Sequence, residues 1–305
     1  MSRPRVLITT GDPGGVGPEI LGTMLRDPEL IHGAEMTVLG PARTQESVPD
    51  GVRWDDVDLP SLAFHKRPHP DNGRIALLAL EEASRRMGRG EADLLVTGPV
   101  SKEAIRRCGV PFTGHTEFFG HAFNATSYVV FLTGSTPVAL FTSHIPLQEV
   151  AARIDQDTLQ DYVRGLAAAW MRQLGVTPRF LIASLNPHAG ESGMIGREER
   201  DVMEPALESL ITQGIEIRGP FPADSLFLKP QEPDSVIIAL YHDQGMIPAK
   251  MLSSGHAVNC TLGLPFLRTA PDHGPAFDIA GTGQADPESF RRAVTEGLAL
   301  LSRRR

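Results

Sequence analysis

The hydrophobic residues of this chain fall into two kinds of segment that alternate along its length. Short, largely apolar runs with the length of buried strands cover residues 6–10, 36–39, 93–97, 179–185 and 236–240. Longer segments with helical spacing of their apolar positions cover residues 73–87, 156–174, 197–210 and 289–301. This alternation predicts an α/β fold with a mixed, mostly parallel sheet and helices on both faces.

Turn and capping residues refine this prediction. Residues 128–133 and 138–142 are apolar runs that bracket Gly134, which predicts an antiparallel hairpin. Gly175 is predicted to close the helix at 156–174, while Asp286 should cap the last helix and Pro287 begin it. Residues 60–72 are predicted to form a loop that contains proline and histidine.

A glycine-rich turn, GDPGGVGPE, links the first strand to a helix, with Pro18 suited to the first helical turn. It has neither the G-x-G-x-x-G fingerprint of dinucleotide-binding folds nor a P-loop lysine. A tight structural turn and an anion-binding loop both remain open interpretations.

Composition excludes several classes of protein. The 305 residues are 41% hydrophobic and 22% charged, and the net charge, 29 minus 37, is −8, which argues against a nucleic-acid partner. The sequence has no apolar run of membrane length and no signal peptide, so no membrane partner and a cytoplasmic location are predicted. Two cysteines argue against a disulfide framework, and Cys260 is interpreted as a buried, inert thiol.

Histidines recur at the ends of predicted strands. His144, His188 and His242 each come just after an apolar run, and three imidazoles can hold a divalent metal. Their wide spacing along the chain gives no separate support, so each could equally be a hydrogen-bonded structural residue. Asp224 and Asp243 could orient a ligand or move protons, or could have structural partners.

Further polar residues near the end of the 236–240 strand suggest a site for an anion. Arg268 could grip a phosphate or carboxylate with two hydrogen bonds, and Lys250 could act as a point charge or proton acceptor. Asn259 and Thr116 could add neutral hydrogen bonds. Both cations, and Lys102 more strongly, could instead be ordinary surface charges.

Taken together, these segments resemble the 4-hydroxythreonine-4-phosphate dehydrogenase family of pyridoxal phosphate biosynthesis. The matching motifs include VTGPVSKEAI, PFTGHTE, NPHAGE, YHDQGMIPAK, TLGLPFLRT and DHGPAFDIAGTG, and they span nearly the whole chain. GDPGGVGPE and HGPAFDIAGTG are also similar to segments of isocitrate and isopropylmalate dehydrogenases. That similarity implies two α/β lobes around an active-site cleft, with residues 1–125 plus 275–305 in one lobe. Residues 126–274 would form the other, which would carry the dimerisation surface and the metal site.

The resemblance also implies a set of site residues. The metal ligands would be His144, His188 and His242, holding zinc, magnesium or cobalt in a homodimer whose subunits share each metal site. NAD or NADP would be the cofactor, with His273, Gly274 and Asp278 near its adenosine end. The substrate would be contacted by His115, Thr116, Lys250, Asn259 and Arg268, and proton transfer would fall to Lys250, Asp224 or Asp243.

The implied reaction is oxidation of 4-phosphohydroxy-L-threonine to 2-amino-3-oxo-4-phosphooxybutanoate, which decarboxylates to 3-amino-2-oxopropyl phosphate. Phe277 and Asp278 depart from the pattern expected of the biosynthetic enzymes and keep open a sister dehydrogenase of 4-phospho-D-threonate or 4-phospho-D-erythronate. A metallohydrolase of a phosphorylated small molecule, with histidine-bound metal activating water, is the alternative from another class.

Overall fold

Strands and helices alternate along the chain in a computed structural model that describes residues 3–45, 48–228 and 231–303. The strands are β1 Arg5–Thr9, β2 Glu35–Gly40, β3 Val52–Asp56, β4 Leu94–Thr97, β5 Tyr128–Leu132, β6 Val138–Leu140, β7 Arg179–Ala183, β8 Ile217–Phe221, β9 Ser235–Ala239, β10 Val258–Leu262 and β11 Leu267–Pro271. The helices are α1 Gly17–Met24, α2 Pro28–Gly33, α3 Pro70–Gly88, α4 Lys102–Arg106, α5 His115–Ala122, α6 Leu147–Arg153, α7 Gln156–Leu174, α8 Glu204–Thr212, α9 Ala223–Leu226, α10 His242–Leu252 and α11 Glu288–Arg303. Over the described ranges, none of these helices combines the length and apolar character that crossing a membrane requires.

The chain divides into two compact units. Unit 1 contains the chain up to Ser127 together with Val258–Ser302, and unit 2 contains Tyr128–Ala257. Residues 258–274 therefore pack with unit 1, whereas the division into lobes at 125/126 and 274/275 stays a prediction.

Unit 1 is built on strands in the order β3-β2-β1-β4-β11-β10. All neighbours are parallel except β10 and β11, which are antiparallel. Strand β4 is buried along its whole length, and α3 buries nine residues. A cluster that includes Phe112, Phe119 and Phe266 fills the core beside these elements.

Unit 2 is built on strands in the order β5-β6-β9-β7-β8. Strands β6, β9, β7 and β8 run parallel, and β5 pairs with β6 in an antiparallel arrangement, which confirms the predicted hairpin. Helix α7 begins at the N-cap Asp155 and ends at Gly175, whose φ of 73° is the left-handed conformation predicted for a helix-ending glycine.

Three predicted boundaries need correction. The predicted helix at 197–210 is interrupted, because Glu199–Met203 form a π-helical turn before α8 begins at Glu204. Pro205 explains the break, since proline has no backbone N–H for the helical hydrogen-bond ladder. Helix α3 starts inside the predicted 60–72 loop, at Pro70. Helix α11 begins one residue after Pro287, with the Asp286 carboxylate accepting a hydrogen bond from the Glu288 N–H as predicted.

Candidate active site

The three predicted metal histidines follow three neighbouring parallel strands of unit 2. His144 comes after β6, His188 after β7, and His242 is the first residue of α10 after β9. Parallel strands end at the same edge of a sheet, which is where α/β folds place their ligands. The Gln244 side chain links the ends of β9 and β7 at this edge. It accepts a hydrogen bond from the Leu240 N–H and donates one to the Ser184 carbonyl, both at 2.7 Å.

His144 and His242 form a pair beside an open cavity. Their ring centroids are 5.9 Å apart, and both line a cavity of about 350 Å³. The His242 Nδ1 lies 2.7 Å from the Asp243 carboxylate. When Nδ1 donates that hydrogen bond, Nε2 keeps the lone pair that a metal needs, and carboxylates commonly orient metal-binding histidines in this way.

Within one chain, two of the three predicted histidine ligands have the spacing that a divalent metal requires. Two imidazoles on one zinc ion have centroids roughly 5–6 Å apart, given metal–nitrogen bonds of about 2.0–2.1 Å, and the His144–His242 pair matches this spacing. The ligand atoms of His144, His188 and His242 do not all lie within 4.8 Å of one another in the described part of a single chain.

His188 lies on a strained turn that a buried carboxylate supports. Residues 188–192 all have positive φ, from 45° to 74°, and only Gly190 among them is a glycine. Left-handed conformation costs roughly 1–2 kcal/mol for each L-residue, so surrounding contacts must stabilise the turn. Glu199 supplies them: it is 1% exposed and accepts hydrogen bonds from the backbone N–H groups of Leu185 and Asn186 and from the Asn186 side chain, at 2.7–2.9 Å.

The predicted proton-transfer residues of unit 2 are solvent-exposed. Asp224 lies on α9, just after β8, so it follows the strand next to β7. Asp243 is the second residue of α10. Lys250 lies near the end of the same helix and is also exposed within one chain.

Unit 1 contains a buried arginine at the centre of a hydroxyl network. Arg268 on β11 is 2% exposed and donates hydrogen bonds to the Thr97 hydroxyl at 2.6 and 3.1 Å and to the Thr261 hydroxyl at 2.7 Å. The Thr116 hydroxyl lies 3.4 Å from that of Thr261. Burial lowers the pKa of Arg268 to about 10, which leaves it positively charged at neutral pH.

Polar atoms without partners face the same part of unit 1. The His115 Nε2 and the Asn259 Oδ1 are buried, and neither has a hydrogen-bond partner among the described residues. Burial, with the charges of Arg268 and Lys102, moves the pKa of His115 well below its ordinary value, so the ring is neutral at pH 7. Cys260 is 1% exposed and burial raises its pKa to about 12, in agreement with the predicted inert thiol.

This arrangement suits an anionic ligand. Among the described residues no carboxylate forms an ion pair within 4.0 Å of the Arg268 guanidinium, although Glu117 acts on it electrostatically, and a buried charge without a direct partner is costly. A phosphate or carboxylate would neutralise that charge and satisfy the free polar atoms nearby.

The predicted cofactor residues lie on the loop between β11 and α11. His273, Gly274 and Asp278 are all exposed. The Pro275 carbonyl of this loop accepts a hydrogen bond from the Val16 N–H at 2.8 Å, so the loop packs on the glycine-rich turn. Gly15 is required there, since a Cβ would lie 2.7 Å from Pro275.

Comparison with known proteins decides the family. A model of the family described as "Pyridoxal phosphate biosynthetic protein PdxA" matches residues 30–296. A 4-hydroxythreonine-4-phosphate dehydrogenase from Chromobacterium violaceum is 41% identical over 96% of this chain and 95% of its own length. The chain belongs to the PdxA family.

Solved structures agree with this membership. The crystal structure of 4-hydroxythreonine-4-phosphate dehydrogenase from Klebsiella pneumoniae is 30% identical, has a TM-score of 0.86 and covers 98% of both chains. An isocitrate dehydrogenase from Methylococcus capsulatus, 14% identical over 99% of this chain and 87% of its own, has a TM-score of 0.50 and shows a related fold. The predicted PdxA-type dehydrogenase family and its isocitrate dehydrogenase-like α/β fold are therefore confirmed.

Sequence reasoning missed several residues of this PdxA-family site. Thr97 and Thr261, which hold Arg268, lie in the motifs VTGPVSKEAI and TLGLPFLRT but were not singled out as site residues. Glu199 lies in a predicted helix and shows no sign in the sequence of supporting the His188 turn. His65, His69 and Asp71 are close together in a segment that was predicted only as a loop.

Proposed function

We propose that this protein oxidises 4-phosphohydroxy-L-threonine with NAD or NADP, in the pathway to pyridoxal phosphate. The observation that carries the proposal is the buried Arg268, which is held by two threonines, lacks a carboxylate partner and lies beside unsatisfied polar atoms. The names of the relatives supply the substrate. The product, 2-amino-3-oxo-4-phosphooxybutanoate, would then decarboxylate to 3-amino-2-oxopropyl phosphate.

In this proposal, unit 1 binds the anionic part of the substrate. Arg268 donates to phosphate or carboxylate oxygens with the N–H groups that the threonines leave free. Neutral His115 and Asn259 offer additional hydrogen bonds from atoms that otherwise lack partners. Thr116 lies close enough to the Thr261 hydroxyl to complete a polar surface for the same ligand.

Unit 2 holds a divalent ion in this proposal. His144 and His242 supply two ligands at suitable separation, Asp243 orients His242, and His188 supplies the third ligand from its rigid turn. An ion at these residues would act as a Lewis acid towards the substrate hydroxyl, and zinc, magnesium or cobalt could do so. Lys250, Asp224 and Asp243 are the candidates to accept the hydroxyl proton.

We also infer a homodimer in which each metal site takes ligands from both subunits. One observation supports this: α10, which begins with His242, exposes Ile247 and Met251 on one face at 60% and 76%. Apolar side chains this exposed, one helical turn apart, mark a surface suited to burial against another chain. Burial of this helix in a dimer would also desolvate Lys250 on the same element.

The nicotinamide cofactor is assigned to the loop of His273, Gly274 and Asp278. Its packing on the glycine-rich turn gives this loop a rigid support. NAD or NADP supplies the acceptor for the hydride that leaves the substrate carbon. A cytoplasmic location is inferred as well, and the free thiols Cys108 and Cys260 fit a reducing compartment.

The deciding experiment measures formation of reduced nicotinamide by the purified protein with each divalent metal. The expected result is turnover of 4-phosphohydroxy-L-threonine that exceeds turnover of 4-phospho-D-threonate and 4-phospho-D-erythronate. Rescue of a pyridoxine auxotroph is expected in parallel. Preference for either D-acid, without rescue, would replace the proposed substrate by that of the sister enzyme, and inactivity on all of them would refute the dehydrogenase proposal.

A further inference from the structure

His65, His69 and Asp71 bring three metal-binding side chains together in unit 1. One ligand atom from each lies within 4.8 Å of the others. The Asp71 Oδ2 is 3.2 Å from the His65 Nε2 and 3.5 Å from the His69 Nδ1. None of these residues belongs to the predicted catalytic set, all of whose histidine ligands lie in unit 2.

We propose that these three residues form a second divalent-metal site, which is separate from the proposed catalytic ion. Ligand atoms about 2.0–2.1 Å from a tetrahedral ion lie about 3.3–3.5 Å from one another. The two measured separations from the Asp71 oxygen fall close to that range. A set of two imidazoles and one carboxylate favours zinc, cobalt or nickel over magnesium or calcium.

Hydrogen bonds now link the three side chains at the place where the cation would bind. The His69 Nδ1 accepts a hydrogen bond from the Asp71 N–H at 3.2 Å and caps α3, so this nitrogen is unprotonated, and an ion bound through it would replace that hydrogen bond. The same nitrogen is 3.5 Å from the Asp71 carboxylate oxygen, which is also an acceptor. The Asp71 oxygen also lies 3.2 Å from the His65 Nε2, within hydrogen-bond distance, so a divalent ion would take over contacts that the three side chains now make with one another.

The backbone that carries these ligands is fixed from inside unit 1. The Asn72 side chain is 0% exposed; it accepts from the His65 N–H at 3.0 Å and donates to the His65 carbonyl at 2.7 Å and to Asp12 at 2.8 Å. Gly14 allows the close approach of this segment, because a Cβ there would lie 2.0 Å from the His65 carbonyl oxygen. The ligands are therefore anchored at their backbone, and only their side chains need to adjust.

That adjustment is a rotation of the two rings. The imidazoles of His65 and His69 are stacked, with centroids 3.6 Å apart and an interplanar angle of 25°, so their in-plane lone pairs do not yet converge. Their side chains are 28% and 26% exposed, which leaves room to turn. The bound ion would join the 60–69 loop to the first turn of α3, and its fourth position would stay open to water or another ligand.

Zinc titration of the chelator-treated protein tests the proposal. His188→Ala and His242→Ala together provide the background, because they remove two ligands of the proposed catalytic ion. We expect this background protein to bind one Zn²⁺ per chain by calorimetry. Adding His65→Ala or Asp71→Asn should weaken that binding by more than about ten-fold, since even loss of a second-shell partner costs 10- to 100-fold. Asp71→Asn retains the backbone N–H that donates to the His69 cap of α3, so it separates ligand loss from misfolding.

His121→Ala is the matched control, because His121 is an exposed histidine of unit 1 outside the cluster. It should leave Zn²⁺ binding unchanged. A background protein that binds no Zn²⁺, or whose binding survives both His65→Ala and Asp71→Asn, would overturn the second site. If instead the wild-type protein binds a single ion that only His65→Ala removes, the second site stands and the proposed catalytic ion fails.

Discussion

At the scale of single residues, burial distinguishes a charged side chain that could bind a ligand from an ordinary surface charge. Arg268 is buried among threonine hydroxyls and has no carboxylate within 4.0 Å among the described residues, whereas Arg5 and Arg107, which form ion pairs, have side chains that are 44% and 54% exposed. Surface ion pairs of that kind contribute little to stability. The buried, unpaired cation is therefore the residue whose replacement is most informative.

Replacing Arg268 by lysine is expected to raise the KM for the phosphorylated substrate by about 10- to 100-fold, which corresponds to the loss of one charge-assisted hydrogen bond of about 1.5–3 kcal/mol. Lysine cannot contact Thr97 and Thr261 and also present a planar pair of N–H groups. Steady-state kinetics measure the effect. Arg107→Lys, on the exposed ion pair with Glu103, is the control and should change nothing. An unaltered KM in Arg268→Lys would show that Arg268 does not bind the anionic group of the substrate.

Asp12 gives a prediction about pH and stability. Burial raises its pKa from 3.8 to about 7, although Gly14 and Asn72 donate hydrogen bonds to the carboxylate. The folded state therefore binds the proton more tightly than the unfolded state between these values. Stability should fall as the pH rises through this window, by at most about 1.4 kcal/mol per pH unit.

Asp12→Asn resembles the protonated acid and should abolish this dependence. Urea unfolding of both proteins at several values between about pH 5 and about pH 8 measures it. The wild type should lose stability relative to the variant as the pH rises. Parallel curves for the two proteins would show that Asp12 titrates at its ordinary pKa.

At the scale of elements, the left-handed turn at residues 188–192 depends on a neighbouring element. Glu199, in the π-helical turn, accepts three hydrogen bonds from Leu185 and Asn186, which directly precede the turn. Glu199→Gln keeps the shape of the side chain but places an amide N–H₂ against these donors. It should lower the affinity of the His188 site for Co²⁺ by about ten-fold or more, as losses of supporting residues around metals do.

The d–d absorption of bound Co²⁺ reports this effect, because it depends on ligand geometry rather than on folding alone. Glu198→Gln is the matched control: Glu198 is only half-buried, and it accepts hydrogen bonds from the Asn186 side chain at 2.7 Å and from the Arg197 N–H at 2.9 Å. It should have a much smaller effect. Equal spectra and affinities in Glu199→Gln and the wild type would show that the turn does not depend on this carboxylate.

At the scale of the whole molecule, the exposed apolar face of α10 predicts how the chain assembles. Met251→Lys places a charge on the proposed dimer surface and should shift the protein from dimer to monomer in sedimentation experiments. Activity should fall together with dimerisation, because the metal ligands would come from both subunits. Ile211→Lys, on α8 and 54% exposed, controls for the added charge. A wild-type monomer with full activity would contradict the shared site.

The sequence by itself determined the family and many of the regular elements. Buried strands such as β4 and β9 are largely apolar, and α7 has helical spacing of its apolar residues and ends at the predicted Gly175, so local pattern was enough. The three histidines were proposed as metal ligands because each follows an apolar run, and that role stays a prediction. The strands β10 and β11 were missed, since Asn259 and Arg268 interrupt their hydrophobic pattern.

Tertiary structure alone decided which polar groups are buried and what they contact. Thr97 and Thr261 are distant along the chain and meet at Arg268 only through the pairing of β4, β10 and β11. Glu199 supports the His188 turn, and Asn72 fixes His65, through contacts that no local pattern records. Secondary structure follows short-range periodicity, whereas desolvation and hydrogen-bond partners depend on residues that only the folded chain brings together.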